Sequence, residues 1–413
     1  MLFFIFLRLS IICSCTARNV KTSAQNEAEQ FSIIFGGDVS FSGIQRRMVE
    51  NGKCSYNNSF AQIRSYLKQS DEVFVNLETP IGTKEQVESL PRFKGKNIHL
   101  VAEEDSLSAL KYAGITSVSL ANNHIFDRNQ EGIQSTVKLL EKYQIKYTGV
   151  TPLKKPLMFK RNGIKIAITA YLLPPVIGNM KLFKKGLTLQ EYKPKQTVED
   201  LQELRKTADV VIIYFHWDVE YATLPERMTE FYDVIENIHE YVDVIIGSHA
   251  HVTQPHFYYK DVLVAPQMGN FLFPMHLSSF FLFDRNDMQN DPDLKAYEDW
   301  WYLYTKLFKN PSAHALLYKL VFDKNGLVPE SSQYMETIID VSERHCLYVR
   351  PKILKGDPWK TICSNDDYNC MGTTRCNHFE CTLKDGKVIK YKNKLLNALR
   401  SNDLNRCRDK IEL

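Results

Sequence analysis

The chain has 413 residues, of which 44% are hydrophobic and 24% charged, so it can bury a sizeable core and is not disordered in bulk. Its 52 basic and 48 acidic side chains are spread along the sequence and give a net charge of +4, which provides no basic surface for nucleic acid. The length fits about two or three domains, or one large α/β domain with an appendage.

The N-terminus begins with an apolar run, residues 1–13, that only Arg8 and Ser10 interrupt. This run is too short to cross a bilayer, which takes about 20 apolar residues, but it has the length of a signal-peptide core. Cys15 and Ala17 are small residues at a candidate cleavage site. We therefore expect a signal peptide at residues 1–17 and a location outside the cell or in the secretory pathway. A buried N-terminal strand and membrane association through an uncleaved N-terminus remain alternatives.

Apolar segments of strand length, rich in valine and isoleucine, recur between Phe31 and Phe273. They are residues 32–39, 72–78, 117–123, 164–172, 210–217, 242–248 and 262–273. Amphipathic segments between them predict helices at residues 105–113, 130–143, 198–206 and 227–241. Strands that alternate with helices in this way predict an α/β domain with helices on both sides of a buried sheet. From about residue 274 to 345 the pattern is irregular and aromatic, and we expect residues 300–304 to cap the core.

Six cysteines lie after residue 345 in a short polar stretch, which predicts a separate small cysteine-rich module at residues 346–413. They are Cys346, Cys363, Cys370, Cys376, Cys381 and Cys407. The stretch has no Cys-x-x-Cys pair, so three disulfides fit it better than a zinc site does. Cys54 is left over, either free or bonded to the tail. Beside it, Asn57-Asn58-Ser59 is a glycosylation sequon, and we expect Asn57 to be glycosylated in an exposed loop.

Polar residues end five of the predicted strands. They are Asp38, then Asn76 and Glu78, then Asn122, Asn123 and His124, then His216, and finally His249 with His251. Because the carboxyl ends of strands line the ligand crevice of an open α/β sheet, these side chains should meet at one rim. The mixed oxygen and nitrogen set suits Mn, Fe or Zn as a cofactor. Taken singly, each residue also fits a structural role, such as a packed histidine or an asparagine that caps a helix.

Six motifs in this order resemble those of the CapA family, whose members are associated with capsule and poly-γ-glutamate synthesis. The motifs are GGDVSFSG, VNLETPIG, LANNHIFD, HWDVEY, GSHAHVTQP and QMGNFLF. The resemblance extends to the metallophosphoesterase (calcineurin-like) fold. It therefore implies a four-layer αββα metallophosphoesterase-like sandwich, which we assign to residues 31–345, with the small cysteine-rich module after it.

The same resemblance implies a centre for one or two divalent ions. The first metal's ligands correspond to Asp38, Glu78 and His251, and Glu78 corresponds to the carboxylate that bridges the two metals. The second metal's other ligands correspond to Asn123, His216 and His249. His124 resembles the general acid beside the leaving group. Two metals that clamp the attacking and leaving oxygens can support hydrolysis. We also expect four residues to contact the substrate, namely Asn76, Asn122, Glu220 and Asn270.

The sequence departs from the phosphoesterase pattern at Ser40, where those enzymes have a histidine of the first site. We therefore expect the first metal to be weak or absent. Asp218, Ala250 and Asn129 also depart from the family's motifs, but none of them removes a proposed ligand.

Two classes of function follow from this pattern. The first is a metal-dependent hydrolase or ligase-associated enzyme of poly-γ-glutamate metabolism, with an anionic polymer or a phosphoester as substrate and possible membership of a membrane-associated synthesis complex. The second is a secreted, non-catalytic accessory or binding protein that retains the fold. His124 favours the enzyme, since binding alone needs no acid, whereas the loss of the first-site histidine favours the accessory protein.

Overall fold

The computed structural model describes residues 30–94, 96, 98–153, 156–174, 186–222, 228–273, 311–342, 346–362, 379–383, 388–389 and 404–409. The predicted signal peptide, the aromatic run at residues 300–304, and Cys363, Cys370 and Cys376 lie outside these ranges. Within them, no helix is both long enough and apolar enough to cross a membrane.

Seven α-helices and 23 strands make up the described secondary structure. Helices α1 to α7 span Ile44–Glu50, Arg64–Leu67, Lys84–Ser89, Ser106–Ala113, Asn129–Lys142, Pro194–Arg205 and Met228–Ile238. Strands β1 to β12 span Phe31–Val39, Glu72–Leu77, Ile81–Gly82, Ala102–Glu103, Ser117–Ser119, Lys146–Thr148, Val150–Thr151, Leu157–Arg161, Ile164–Leu172, Thr188–Leu189, Val210–His216 and Val244–Ser248. Strands β13 to β23 span Phe257–Tyr259, Val262–Ala265, Asn270–Leu272, His314–Asp323, Gly326–Leu327, Gln333–Val341, Leu347–Pro351, Lys360–Thr361, Phe379–Leu383, Val388–Ile389 and Leu404–Asp409. Short 3-10 helices span Tyr56–Phe60, His239–Tyr241, Pro311–Ala313 and Pro329–Ser331.

Strand β1 lies inside a ten-stranded mixed sheet whose main order is β19-β18-β16-β1-β2-β5-β6. Strands β1, β2, β5 and β6 run parallel, whereas β16, β18 and β19 continue the sheet in antiparallel pairs. The last residues of β1 also pair in parallel with β15, which sets Asp38 opposite Asn270. The carboxyl ends of the parallel strands therefore share one edge of this sheet.

A second sheet has six strands in the order β13-β14-β12-β11-β9-β8. Its central strands β9, β11, β12 and β14 are parallel, and β8 and β13 pair in antiparallel fashion at the two edges. Strand β11 is buried along its whole length because its two faces pack against different cores. Val210, Ile212 and Tyr214 belong to the core shared with the first sheet, while alternate residues of β11 pack with α6 and α7.

The two sheets contact each other through aromatic side chains. The ring of Tyr214 in β11 lies 5.3 Å from that of Phe74 in β2. The Tyr214 hydroxyl donates a 3.1 Å hydrogen bond to the carbonyl of Gly36 in β1. The structure is thus a mixed α/β fold with several sheets, as predicted, and the four predicted helices agree with α4 to α7 apart from a few residues at their ends.

The segment predicted to be irregular, residues 274–345, contains two of the longest strands, β16 and β18. Strand β16 is buried on both faces, so its sequence lacks the alternation that signals a half-exposed strand. The first sheet also continues past the predicted domain boundary at residue 345, since β19 and β20 both pair with β18. The first sheet thus extends beyond residue 345, and the position of the domain boundary stays a prediction.

The predicted set of three disulfides within the tail is wrong for Cys346, because Cys346 is bonded to Cys54, which lies 292 residues earlier. Of the two alternatives for Cys54, the structure shows the bond to the tail. The glycosylation sequon lies beside it, on the 3-10 helix Tyr56–Phe60, where Asn57 is exposed. Glycosylation at Asn57 stays a prediction.

Candidate metal centre

The proposed ligands lie at the carboxyl ends of strands from both sheets. Asp38 is the second-last residue of β1, Glu78 follows β2, and Asn123 lies in the loop after β5. His216 ends β11, and His249 and His251 are in the loop after β12. Five strand ends therefore deliver these side chains to one place, as the sequence predicted.

Two glycines allow the strand ends to approach closely. A Cβ atom on Gly37 would lie 1.9 Å from the carbonyl oxygen of Gly269. A Cβ on Gly247 would lie 1.9 Å from the carbonyl oxygen of Pro266 and 2.2 Å from the indole nitrogen of Trp217. Only glycine fits at either position, so the segment before β15 can pack against β1 and β12.

Asp38, Glu78 and His251 form one group of ligand atoms, all within 4.8 Å of one another. The three side chains are fully buried. Nδ1 of His251 lies 3.4 Å from Oδ2 of Asp38 and 2.9 Å from Oδ1 of Asn270. These contacts fix the histidine ring and leave Nε2 available to a metal ion.

Glu78, His216 and His249 form a second group by the same distance criterion, so Glu78 belongs to both. Nε2 of His216 lies 3.4 Å from Oε1 of Glu78 and 3.0 Å from Oδ1 of Asn123. The rings of His216 and His249 are 4.6 Å apart. Asn123 thus joins this group through its side-chain oxygen, and Glu78 occupies the position of a bridging ligand.

A third group consists of Glu220, His249 and His251. Glu220 is exposed, whereas both histidines are buried. The backbone φ angles of His249 and His251 are 110° and 55°, values that are uncommon for residues other than glycine. Such conformations persist where the surrounding structure holds them, and they cluster at functional sites.

Three asparagines that we expected to contact substrate are buried beneath the ligands instead. Asn76 donates to Oδ1 of Asp38 (2.8 Å), and Asn122 donates to the side-chain oxygen of Asn76 (3.0 Å). Oδ1 of Asn270 accepts a hydrogen bond from Nδ1 of His251 (2.9 Å), and its amide nitrogen donates to the carbonyl of Ser312 (3.0 Å). Each amide is engaged with protein groups and supports the ligands, and contact of these residues with substrate stays a prediction.

His124 lies beside the two ligand groups and is held by a buried carboxylate. Its Nδ1 is 2.7 Å from Oδ2 of Asp127. The ammonium group of Lys96 lies 2.6 Å from Oδ1 of Asp127 and donates a 2.9 Å hydrogen bond to the carbonyl of Asn123. If Nδ1 of His124 carries the proton that it donates to Asp127, then Nε2 of the same ring is free to exchange a proton with a bound molecule.

The electrostatics of the pocket keep His216 and His249 neutral, whereas the contact with Asp38 outweighs burial and raises the pKa of His251. Burial alone would raise the pKa of Asp38, but His251 and His216 outweigh it and lower the pKa to about 2. Burial, together with the charge of Asp38, raises the pKa of Glu78 well above its usual range. Burial lowers the pKa of His216 to about 3 and moves that of His249 well below its ordinary value. A metal ion binds the neutral form of imidazole, so these two side chains are already in the ligand form.

The donor set also passes a test of fit for a metal ion. Of the buried side-chain atoms that have no hydrogen-bond partner among the described residues, four belong to the proposed ligands and lie together in this pocket. They are Oδ2 of Asp38, Oε1 of Glu78, Nδ1 of His249 and Nε2 of His251. Since an unpaired buried polar atom costs about 1–3 kcal/mol, cations bound in the two ligand groups would remove a large penalty.

The sequence reasoning missed three residues that shape the site. Ser248 lies 3.0 Å from Nδ1 of His216, and Lys96 holds Asp127 as described above. Gln267 accepts from the backbone amide of Ala250 (2.9 Å) and donates to the carbonyl of Trp217 (3.0 Å). Ser248 and Gln267 lie within motifs that carried the family resemblance, which was the available signal, whereas nothing in the spacing marks Lys96.

Comparisons with known proteins find one matching family and two relatives of known role. Residues 32–275 match the family described as "Bacterial capsule synthesis protein PGA_cap". The chain is 28% identical over 254 residues to the capsule biosynthesis protein CapA of Bacillus anthracis, over 60% of this chain and 61% of that protein. It is 25% identical over 249 residues to the PGA biosynthesis protein CapA of Bacillus subtilis, over 59% of this chain and 63% of that protein. The alignment thus spans less than two thirds of the length of either relative.

Among solved structures, the calcineurin-like phosphoesterase YfkN from Bacillus subtilis is similar over 74% of this chain and 90% of that chain. The sequence identity is 11% and the TM-score is 0.40.

Proposed function

Since the chain belongs to the PGA_cap family of bacterial capsule synthesis proteins, we propose that it acts in the biosynthesis of a poly-γ-glutamate or similar capsule-type polymer. We further propose that it acts there through a metal-dependent, hydrolase-like site. The observation that carries the second proposal is the convergence of four unpartnered ligand atoms, from Asp38, Glu78, His249 and His251, in one buried pocket.

We place these residues in a four-layer αββα sandwich of the metallophosphoesterase type. The packing of β11 between the first sheet on one face and helices α6 and α7 on the other supports this arrangement. The domain begins near residue 31 and includes β19 and β20, so the cysteine-rich module begins after residue 362.

The ligands divide into two sets that share Glu78. Asp38 and His251 belong to one set, and Asn123, His216 and His249 to the other. We expect Mn, Fe or Zn, since imidazole and carboxylate ligands together suit these metals. When bound, such an ion polarises a phosphoryl or carbonyl oxygen and lowers the pKa of a coordinated water.

The protein's own groups position the substrate's leaving atom and supply a proton. Asp127 holds His124 through Nδ1, and Lys96 neutralises part of the Asp127 charge. His124 can therefore exchange a proton through Nε2 with a leaving group bound beside the ligands. A phosphoester or an amide-linked anionic polymer fits this chemistry as substrate.

The N-terminal apolar run and the Cys54–Cys346 disulfide support a location in an oxidising compartment, outside the cell or in the secretory pathway. Retention of the N-terminus would hold the protein at a membrane, where a polymer synthesis complex is its expected partner.

The test combines metal analysis with substrate turnover. The purified full-length chain is analysed for bound metal and assayed against a panel of phosphomonoesters, phosphodiesters and γ-glutamyl peptides. His216→Ala should lose both metal and activity, because His216 is a proposed ligand. His124→Ala should keep its metal and lose about 10²–10⁴-fold in turnover, the usual contribution of acid–base catalysis. His239→Ala is the control, since His239 contacts Lys260 at the far end of α7.

A wild-type protein that binds no divalent metal would refute the metal-dependent site. One that binds metal but turns over no substrate would favour the accessory role. If His124→Ala removes the metal as thoroughly as His216→Ala, His124 is a ligand and its proposed role as an acid is wrong.

A further inference from the structure

One of the two ligand sets is incomplete on its own. Asp38, Glu78 and His251 supply three protein ligands, whereas Mn, Fe and Zn ions take four or more. Ser40, at the position of the missing histidine, is buried, and its hydroxyl lies 2.7 Å from that of Ser42. Ser40 is thus engaged with a neighbouring side chain of its own loop and supplies no imidazole.

Glu220 approaches the same histidine from the loop after β11, the strand that pairs with β12 in the second sheet. One of its carboxylate oxygens lies within 4.8 Å of ligand atoms of both His249 and His251. His251 is fully buried, and its Nε2 has no hydrogen-bond partner among the described residues. An unpaired ring nitrogen and an acidic side chain at this separation can be bridged by a cation.

The loop that carries Glu220 is fixed to the loop that carries the two histidines. The backbone amide of Tyr221 donates a 2.7 Å hydrogen bond to the carbonyl of Ala250, which lies between His249 and His251. The side chain of Gln254 donates a 2.8 Å hydrogen bond to the carbonyl of Ala222. These bonds flank Glu220 on its C-terminal side, so the backbone holds the carboxylate near the histidines even though the side chain is exposed.

The loop conformation is also costly. Asp218 and Tyr221, on either side of Glu220, have φ angles of 74° and 64°. Residues other than glycine adopt such angles at a cost of about 1–2 kcal/mol each. A loop that only carried a solvated surface acid would have no need of this conformation.

We propose that Glu220 is a metal ligand of this centre and takes the coordination position that Ser40 leaves without an imidazole. This inference rests on the metal-dependent site proposed above and replaces our expectation that Glu220 contacts substrate. The set then contains three carboxylates and His251. Because carboxylate-rich sites suit harder cations, Mn²⁺ fits this position better than it fits the histidine-rich set around His216.

The experiment is a titration of the metal-free, full-length chain with Mn²⁺, followed by isothermal calorimetry and by metal analysis after desalting. Glu220→Gln removes the charge at nearly constant shape, and Glu220→His restores an imidazole. Glu203→Gln is the matched control, because Glu203 is an exposed acid on α6 that pairs with Lys206. His216→Ala reports on the other ligand set.

We expect Glu220→Gln to weaken Mn²⁺ binding by about 100-fold, since even second-layer partners of metal ligands cost 10–100-fold when they are removed. Glu220→His should bind a divalent ion within about tenfold of wild type, and Glu203→Gln should match wild type. Crystals soaked in Mn²⁺ should place an anomalous peak about 2.0–2.2 Å from a Glu220 oxygen.

The inference is overturned if Glu220→Gln binds Mn²⁺ with wild-type affinity and stoichiometry. In that case a higher KM in the same variant would return Glu220 to the substrate side of the pocket. If His216→Ala loses metal while Glu220→Gln does not, the proposed function stands and only the role of Glu220 fails. If wild-type protein binds no metal, both proposals fail together.

Discussion

Gln267 is the residue whose replacement tests most directly whether the two histidine loops are held as a unit. Its side chain accepts a hydrogen bond from the backbone amide of Ala250 (2.9 Å) and donates one to the carbonyl of Trp217 (3.0 Å). Ala250 separates His249 from His251, and Trp217 follows His216. One buried amide therefore connects the loop after β11 with the loop after β12.

The expected magnitude follows from those two bonds. Gln267→Leu preserves the approximate size of the side chain and removes both of its polar groups. It leaves the Ala250 amide and the Trp217 carbonyl without this partner in a region where all three residues are almost fully buried. An unsatisfied buried backbone group costs about 1–3 kcal/mol, so the variant should lose about 2–6 kcal/mol of unfolding free energy.

The assay is urea denaturation of the metal-free protein, paired with a Mn²⁺ or Zn²⁺ titration of the folded variant. Looser histidine loops should weaken metal binding by about 10–100-fold, as loss of groups that orient metal ligands does. Gln190→Leu is the control, because Gln190 is also buried but bonds Thr169 in β9. A loss below about 1 kcal/mol with unchanged metal affinity would refute the idea that Gln267 connects the loops.

Three further predictions concern close packing and the cysteines. Gly247→Ala should destabilise the fold by at least about 3 kcal/mol, because the new Cβ would overlap a backbone carbonyl. Gly52→Ala should cost only about 1–2 kcal/mol, because no atom lies within 4 Å of its Cβ and only the positive φ angle opposes it. Thermal denaturation compares the two variants. The double variant Cys54→Ser and Cys346→Ser should lose up to about 5–6 kcal/mol of unfolding free energy in urea denaturation, because the disulfide closes a loop of 292 residues. Equal stability of this variant and the oxidised wild type would contradict the prediction. Cys381 and Cys407 are backbone partners in the antiparallel pair β21–β23, a register that allows a disulfide. Non-reducing peptide mapping should therefore recover them as one linked peptide.

The sequence was sufficient to predict which side chains meet in the pocket because their positions follow from a local rule. Each of Asp38, His216 and His249 comes at or directly after the end of an apolar strand, and parallel strands place their carboxyl ends at one edge of a sheet. The helices could be predicted for a similar reason, since α4 and α5 show an apolar face at helical spacing.

Long-range pairings could not be predicted in this way. Nothing in the sequence near β1 indicates that its partner is β16, nearly 300 residues away, or that Asp38 in the first sheet meets His251 from the second. The partner of Cys346 could not be predicted for the same reason, because Cys54 lies 292 residues earlier in the chain. Pairing of this kind depends on how the two sheets pack, and residue patterns within one strand carry no information about it.

The distinction between ligand and support was also beyond the sequence. Asn76, Asn123 and Asn270 are all asparagines at strand ends, and all are buried. Only the contacts separate them, because Asn123 presents its oxygen to Nε2 of His216, while Asn76 donates to Asp38 and Asn270 holds Nδ1 of His251. A buried amide satisfies either role with the same chemistry, so residue type cannot decide between them.

The pocket's charges link its rigid frame to its proposed chemistry. Asp38 stays ionised at a fully buried position, and Glu78 lies close enough to it that its own pKa rises well above the usual range. The pKa values of His216 and His249 are lowered, so these two imidazoles are neutral, and His251 is the ring whose pKa Asp38 raises. The glycine contacts at β1 and β12 and the asparagine bonds beneath the ligands prevent these side chains from moving apart. A frame that holds two buried carboxyl groups against three histidines is what a site preorganised for a divalent metal requires, since a bound cation would favour the ionised form of both carboxyl groups. This is the physical reason to test metal binding before any substrate.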